Sequence, residues 1–327
     1  MLKTEELLVL IETMTKSEKR NFKLLSNKIG QGNKLYVSLF DYLDKYNALD
    51  EEHLIRKLPE IKKSQIPNLK QVLSKQLLRS LRDINKEKYL EIKARERFDF
   101  AKVLYAKGLY RASLDMLQIV KDLAKEIDMI PLLHLALSFE KQIESQHVTK
   151  SMSVKAYDLV KDANSVLDNL LITNELSNLS LLLYARYLEK GYVRNKDEYQ
   201  ELHRYFYSLM PVVEEKSLDF YQKIYLYQAY TWFYHMSQDF LNYYKYSQKW
   251  VNLFVSDSRM IGPGTILYLK GMHNLLNALF MANKNEMFNK AYDQLCKFNE
   301  DESLLLSVNE KGQLDLFRNV HGINSVF

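Results

Sequence analysis

Glycine, proline and cysteine are all scarce in this chain, at nine, five and one among 327 residues. Sheet-rich folds use glycine and proline in tight turns, so their scarcity argues against a β-sandwich or a doubly wound α/β fold. The single cysteine, Cys296, excludes an internal disulfide. It stands among apolar residues in a helical pattern with no activating partner in view, which reads as a small buried hydrophobe rather than a nucleophile. A fold that needs no disulfide framework suits a reducing compartment. Long hydrophobic runs are missing too. The longest uncharged stretch, between Lys223 and Asp239, is 15 residues rich in Tyr and Gln, too short and polar to span a bilayer. At the start, Lys3, Glu5, Glu6 and Glu12 surround a short apolar run, unlike a signal peptide. The expectation is a soluble, cytoplasmic protein with no membrane insertion.

Chemical signatures are absent as well. The seven histidines are His53, His134, His147, His203, His235, His273 and His321. No two stand at the i, i+4 spacing that places paired metal ligands on one helix face, and no H-E-x-x-H occurs. No G-x-S-x-G elbow, Walker motif or dinucleotide fingerprint is complete. Gly30-Gln31-Gly32-Asn33-Lys34 comes nearest to a phosphate loop but lacks the preceding strand and the Ser or Thr after the lysine, so it reads as a turn between helices. Acidic clusters at Glu51-Glu52, Glu214-Glu215 and Glu300-Asp301-Glu302 sit near helix starts or loops, where the helix dipole explains them. The expectation is no enzyme, no metal and no cofactor.

What is present is helix. Apolar residues make up 47% and charged residues 27%, ample for a core. The length exceeds the roughly 100–200 residues of one domain, which points to two domains or a repeat array. Leu7, Leu8, Leu10 and Ile11 mark a first amphipathic helix, and Thr15 with Glu18 spells a capping box for a second. Asp50 caps a short helix that Pro59 closes, and Pro67 suits the first turn of the next. These elements form an N-terminal helical module, residues 1–85. From residue 86 to the end, helical segments of roughly 15–20 residues alternate with short breaks, the pattern of a helical-hairpin array. Gly108 and Gly191 each close a helix, and Ile261 to Thr265, with two glycines and a proline, is the clearest break. Expected segments include one from about Val154 to Leu171, a separate one from Asn174 to Lys190, and an irregular tail after Phe298.

The stretch from Leu104 to Ala124 resembles the hairpin of a tetratricopeptide repeat, with Gly108, Tyr110 and Ala112 in its turn and second helix. The segments Ala229 to Trp250 and Met281 to Leu295 have the same rhythm, over about residues 86–298 in all. The resemblance implies an all-α, right-handed α-α superhelix whose concave groove binds a segment of another protein. Such arrays carry polar capping helices. The sequence V-H-G-I-N-S-V-F at the end is not a clear cap, so a homo-oligomer through the C-terminal face, a partner or further chain is expected to cover it.

Two features bear on partners. Of 23 tyrosines, many crowd between Phe220 and Phe254. On the first helix there they cover more than one face, as a helix with neighbours on both sides requires. Tyrosine and tryptophan are large amphipathic rings and frequent interface anchors. Tyr243, Tyr246 and Trp250, at i, i+3 and i+7, are candidates for a groove stripe and fit core packing equally. The second feature is charge. Of a net +5, the segment Leu54 to Arg97 carries thirteen Lys or Arg against five Asp or Glu. Lys62, Lys63, Lys70 and Lys88 lie on or beside the Pro67 helix, and Lys75, Arg79, Arg82 and Lys86 fall on one face of it. Such a face binds phosphate backbones or acidic surfaces, or simply solvates. The sequence therefore reads as a protein–protein interaction scaffold, with a nucleic-acid-associated regulatory protein as the alternative.

Overall fold

The computed structural model describes residues 2–28, 35–86, 89–146, 152–298 and 306–324. Among these residues there are fifteen α-helices and no strand. Gly30 to Lys34, Lys88, His147, Glu300 to Glu302 and the last three residues lie outside them. The chain divides into two compact units, residues 1–152 and 153–327.

In the first unit, helices α1 (Thr4–Thr13), α2 (Lys16–Lys28), α3 (Leu35–Tyr46), α4 (Glu51–Lys57) and α5 (Ile66–Asn85) share one core that includes Leu7, Phe22, Phe40, Leu43, Leu73 and Leu77. This core lies within residues 1–85, and the division between the compact units falls farther along the chain. The helix starts follow local chemistry. Thr15 Oγ1 accepts from the Glu18 N–H at 3.2 Å while Glu18 Oε2 accepts from the Thr15 N–H at 2.8 Å. The Asp50 carboxylate takes the N–H groups of Glu52 and His53, and Pro67 stands in the first turn of α5. Helices α6 (Leu90–Ala106), α7 (Tyr110–Glu126) and α8 (Ile130–Gln146) follow as antiparallel neighbours. Small residues bring α6 and α7 together: Ser113 Oγ donates to the Ala101 carbonyl at 2.7 Å, inside the core.

The second unit contains α9 (Met152–Lys190), α10 (Lys196–Leu209), α11 (Phe220–Met236), α12 (Phe240–Ser256), α13 (Thr265–Met281), α14 (Asn285–Lys297) and α15 (Val308–Asn324). The pairs α11–α12, α12–α13 and α13–α14 each pack together. Asp219 and Asp239 cap α11 and α12 through the N–H groups of Gln222 and Asn242.

One turn recurs four times. Between α6 and α7, α7 and α8, α11 and α12, and α13 and α14, three residues connect the helices. The middle one has positive φ: Gly108, Asp128, Gln238 and Asn283. In each, the next N–H reaches back five residues, as from Leu109 to Leu104 or from Asp239 to Tyr234, at 2.7–3.1 Å. This is the left-handed helix stop that satisfies orphan carbonyls at a helix end.

Two expectations change. No break separates Leu171 from Asn174: α9 runs for 39 residues. Nothing there stops a helix, since the Thr173 hydroxyl bonds back to the Asn169 carbonyl at 2.8 Å instead of opening a cap. The tail is also more regular than expected. It forms α15, which packs on α13 and α14, with Leu314, Phe317 and His321 buried. Gly312, Gly322 and three asparagines lower its helix propensity and hide that i, i+3, i+7 stripe. No helix of the described residues is long and apolar enough to cross a membrane.

Candidate functional site

The surface richest in recognition chemistry lies on α10, α11 and α12. Asn195 starts α10 by accepting from the Glu198 N–H at 2.9 Å. That phase buries Leu202 and Phe206 and leaves Tyr199, His203 and Tyr207, at i, i+4 and i+8, on one edge. The His203 ring centre lies 6.1 Å from Tyr199 and 4.4 Å from Tyr207. On α11, Tyr230 and Tyr234 are stacked at 6.0 Å. Tyr246 of α12 joins them, 4.3 Å from Tyr230 and 5.5 Å from Tyr234, within 18° of parallel to both. These three rings are half-buried, and Tyr207 beside them is 49% exposed.

A charged edge borders the stack. Glu215 accepts from Lys249 Nζ at 2.8 Å and from the Tyr227 hydroxyl at 2.7 Å. Lys249 Nζ also stands 5.3 Å from the centres of both Tyr227 and Tyr246, with Lys245 5.7 Å from the latter. Burial pushes the Glu215 carboxyl up, but the bonds from Lys249 and Tyr227 outweigh it and hold the pKa below the ordinary value. Burial, then neighbouring tyrosines, raises Tyr234 and Tyr246 to about 12. The Tyr234 and Tyr246 hydroxyls therefore keep their protons near pH 7, and the stack offers apolar ring faces and hydroxyl donors beside the Lys249–Glu215 ion pair.

Of the groove candidates, only Tyr246 belongs to this surface. Tyr243 and Trp250 are core residues, 1% and 2% exposed. Tyr243 donates its hydroxyl to Asn274 Oδ1 at 3.1 Å, and Trp250 packs against Gly271 of α13. The i, i+3, i+7 spacing does place them on one side of α12, but that side faces α13. Sequence reading did not single out Tyr207, Tyr230 and Tyr234 as a surface, because their grouping depends on three helices meeting.

On the basic helix α5, Lys75, Arg79 and Arg82 are exposed. Arg82 pairs with Asp83 at 3.1 Å and Lys86 with Glu96 at 3.8 Å. No ion pair involves Lys75 or Arg79 among the described residues. On α2, Lys19 and Lys23 pair with Asp44 and Asp41. Acidic neighbours thus meet Lys19, Lys23, Arg82 and Lys86, while Lys75 and Arg79 keep an exposed positive face.

A cleft of about 430 Å³ opens beside the end of α9. Arg186 and Lys190 both donate to Glu201 there, at 2.8 and 2.9 Å, and those bonds lower its carboxyl to about 2. Arg186 and Lys190 are thus paired within the cleft, which Arg194 also lines. Cys296 is half-buried, and its carbonyl accepts from Arg318. Among the described residues no group of three or more His, Cys, Asp or Glu is arranged to hold a metal ion.

Two histidines of the second unit, His235 and His321, are buried, and a third, His273, is half-buried. Asn277 Nδ2 donates to His273 Nε2 at 3.1 Å, which places the His273 proton on Nδ1, 2.9 Å from His321 Nε2. His321 is left with Nδ1–H, and that atom has no partner. His235 lies near Tyr192, 3.1 Å from its hydroxyl. Burial lowers all three to about 4, with the His273 charge adding to the effect on His235 and His321.

Compared with protein-family models, with curated proteins and with solved structures, the chain matches none of them.

Proposed function

We propose that this chain is a non-enzymatic interaction scaffold, a tetratricopeptide-like right-handed array of helical hairpins that binds a segment of a partner protein. The observation that carries this reading is the band of half-exposed tyrosines on three adjacent helices, with Tyr230, Tyr234 and Tyr246 stacked nearly parallel. Tyrosine gives large contact area at low side-chain entropy and a hydroxyl for the partner's backbone, hence its frequency among binding anchors. The recurrent three-residue turn and the sequential packing of hairpins support the array.

Affinity capture from a lysate divided into nuclease-treated and untreated halves tests this. A protein partner is expected to survive nuclease and to be lost from the double variant Tyr207→Ala/Tyr246→Ala, whose helical circular dichroism is retained. Arg79→Ala/Arg82→Ala is expected to keep it. Capture that requires nucleic acid and those arginines would overturn the reading. Salt gives an independent check, since affinity for phosphates falls steeply as salt rises while contact through an aromatic band falls little.

A further inference from the structure

Helix α9 carries a feature unrelated to the tyrosine band. Counting from Tyr157 in alternating steps of three and four gives Val160, Asn164, Leu167, Leu171 and Asn174, then Asn178, Leu181, Ala185 and Leu188. Every one of these ten positions is exposed, with the large apolar ones ranging from 52% at Val160 to 83% at Tyr157. The opposite face, with Leu176, Leu179 and Leu183, is buried. An unbroken heptad seam of this kind is what two supercoiling helices present to each other. It extends over 32 residues, about 48 Å at 1.5 Å per residue. On a straight helix the pattern drifts by about 20° per heptad, and pairing with a second helix is what supercoiling away that drift serves.

We propose that the occupant of this seam is α9 of a second copy, in a parallel, in-register two-stranded coiled coil. The polar positions of the seam decide both partner and direction. In a parallel self-pair, Asn164, Asn174 and Asn178 each face their own counterpart, so every amide meets an amide able to donate and accept. An antiparallel self-pair centred on the seam places Asn164 against Leu181, Asn178 against Leu167 and Asn174 against Leu171. It would bury every amide without a partner. The flanking charges agree. On one flank Lys161, Asp168, Glu175 and Glu189 are charged, and on the other Ala163, Leu170, Ser177 and Tyr184 are uncharged. Parallel strands set one flank against the other, so no like charges meet. Antiparallel strands set like flank against like flank and would bring Asp168 against Glu175.

Sedimentation velocity on the full chain at tens of micromolar is expected to give twice the 38.7 kDa mass of one chain. Leu171→Glu/Leu181→Glu is expected to weaken the dimer at least 100-fold with unchanged circular dichroism. Leu316→Glu, on the exposed face of α15, should leave it intact. In a Cys296→Ser background, oxidation should cross-link chains carrying Asn164→Cys to one another, because in-register pairing brings those residues within disulfide reach. A monomeric wild-type chain would overturn the proposal. So would a dimer indifferent to Leu171→Glu/Leu181→Glu, or cross-linking of Asn164→Cys only to chains carrying Leu181→Cys.

Discussion

Trp250→Ala is expected to destabilise the second unit by about 3–5 kcal/mol, the usual range for emptying a buried tryptophan site. The indole is 2% exposed and lies across α13 at Gly271, where an added Cβ would come 3.1 Å from its Cδ1 and Nε1. Gly271→Ala alone should therefore cost about 1–3 kcal/mol by overpacking, although alanine is the better helix former by about 1 kcal/mol. In the Trp250→Ala background the same methyl enters the vacated space, and Gly271→Ala should become neutral or stabilising. Trp250→Phe should cost far less than Trp250→Ala, since it keeps most of the ring volume while removing an indole N–H that has no partner. Urea unfolding of the four chains of the cycle measures this, and simple additivity of Trp250→Ala and Gly271→Ala would refute the contact as the cause.

Acid should destabilise this unit well before its carboxylates protonate. His235, His273 and His321 sit at about 4 in the folded chain, against about 6.5 when unfolded. Between those values the unfolded chain binds more protons, so stability rises with pH across the window and falls on acidification from 6.5 toward 4. Each histidine could contribute up to about 3 kcal/mol, less when coupled to another. Protonating His321 Nε2 would also set it against the His273 N–H now donated to it. The carboxyls held low, such as Glu201 at about 2, lose their contribution only at lower pH. Tm is expected to drop steadily from pH 6.5 to 4.5, and to drop less in His321→Gln. A flat Tm across that range would defeat the argument.

Local chemistry was legible in the sequence where it is self-contained. Thr15 with Glu18, Asp50, Pro67, Asp239, Gly108 and Gly191 act within a few residues of themselves, and each stands at the helix end expected of it. The continuity of α9 was not legible, because Asn174 is a good cap residue and only its surroundings keep it helical. Side-chain destinations were harder still. Periodicity places Tyr243, Tyr246 and Trp250 on one side of α12 without saying that α13 covers Tyr243 and Trp250 while Tyr246 remains at the edge. The bond from Lys249 to Glu215 joins residues 34 apart in the chain, beyond the reach of any spacing rule. A surface made by three helices becomes visible only when they are packed.

The recurrent three-residue turn bears on how the chain acquires its structure. Each turn sets a helix directly against its sequence neighbour, so closing the contact costs little loop entropy. Domains dominated by such local contacts fold quickly for their size. Three of the four turns also hold a non-glycine residue in a left-handed conformation that costs about 1–2 kcal/mol. Hairpins closed by Asp128, Gln238 or Asn283 should therefore open ahead of the one closed by Gly108. Amide exchange in native conditions would then rank the four turns in that order, with glycine at Gln238 slowing exchange in α11 and α12 alone.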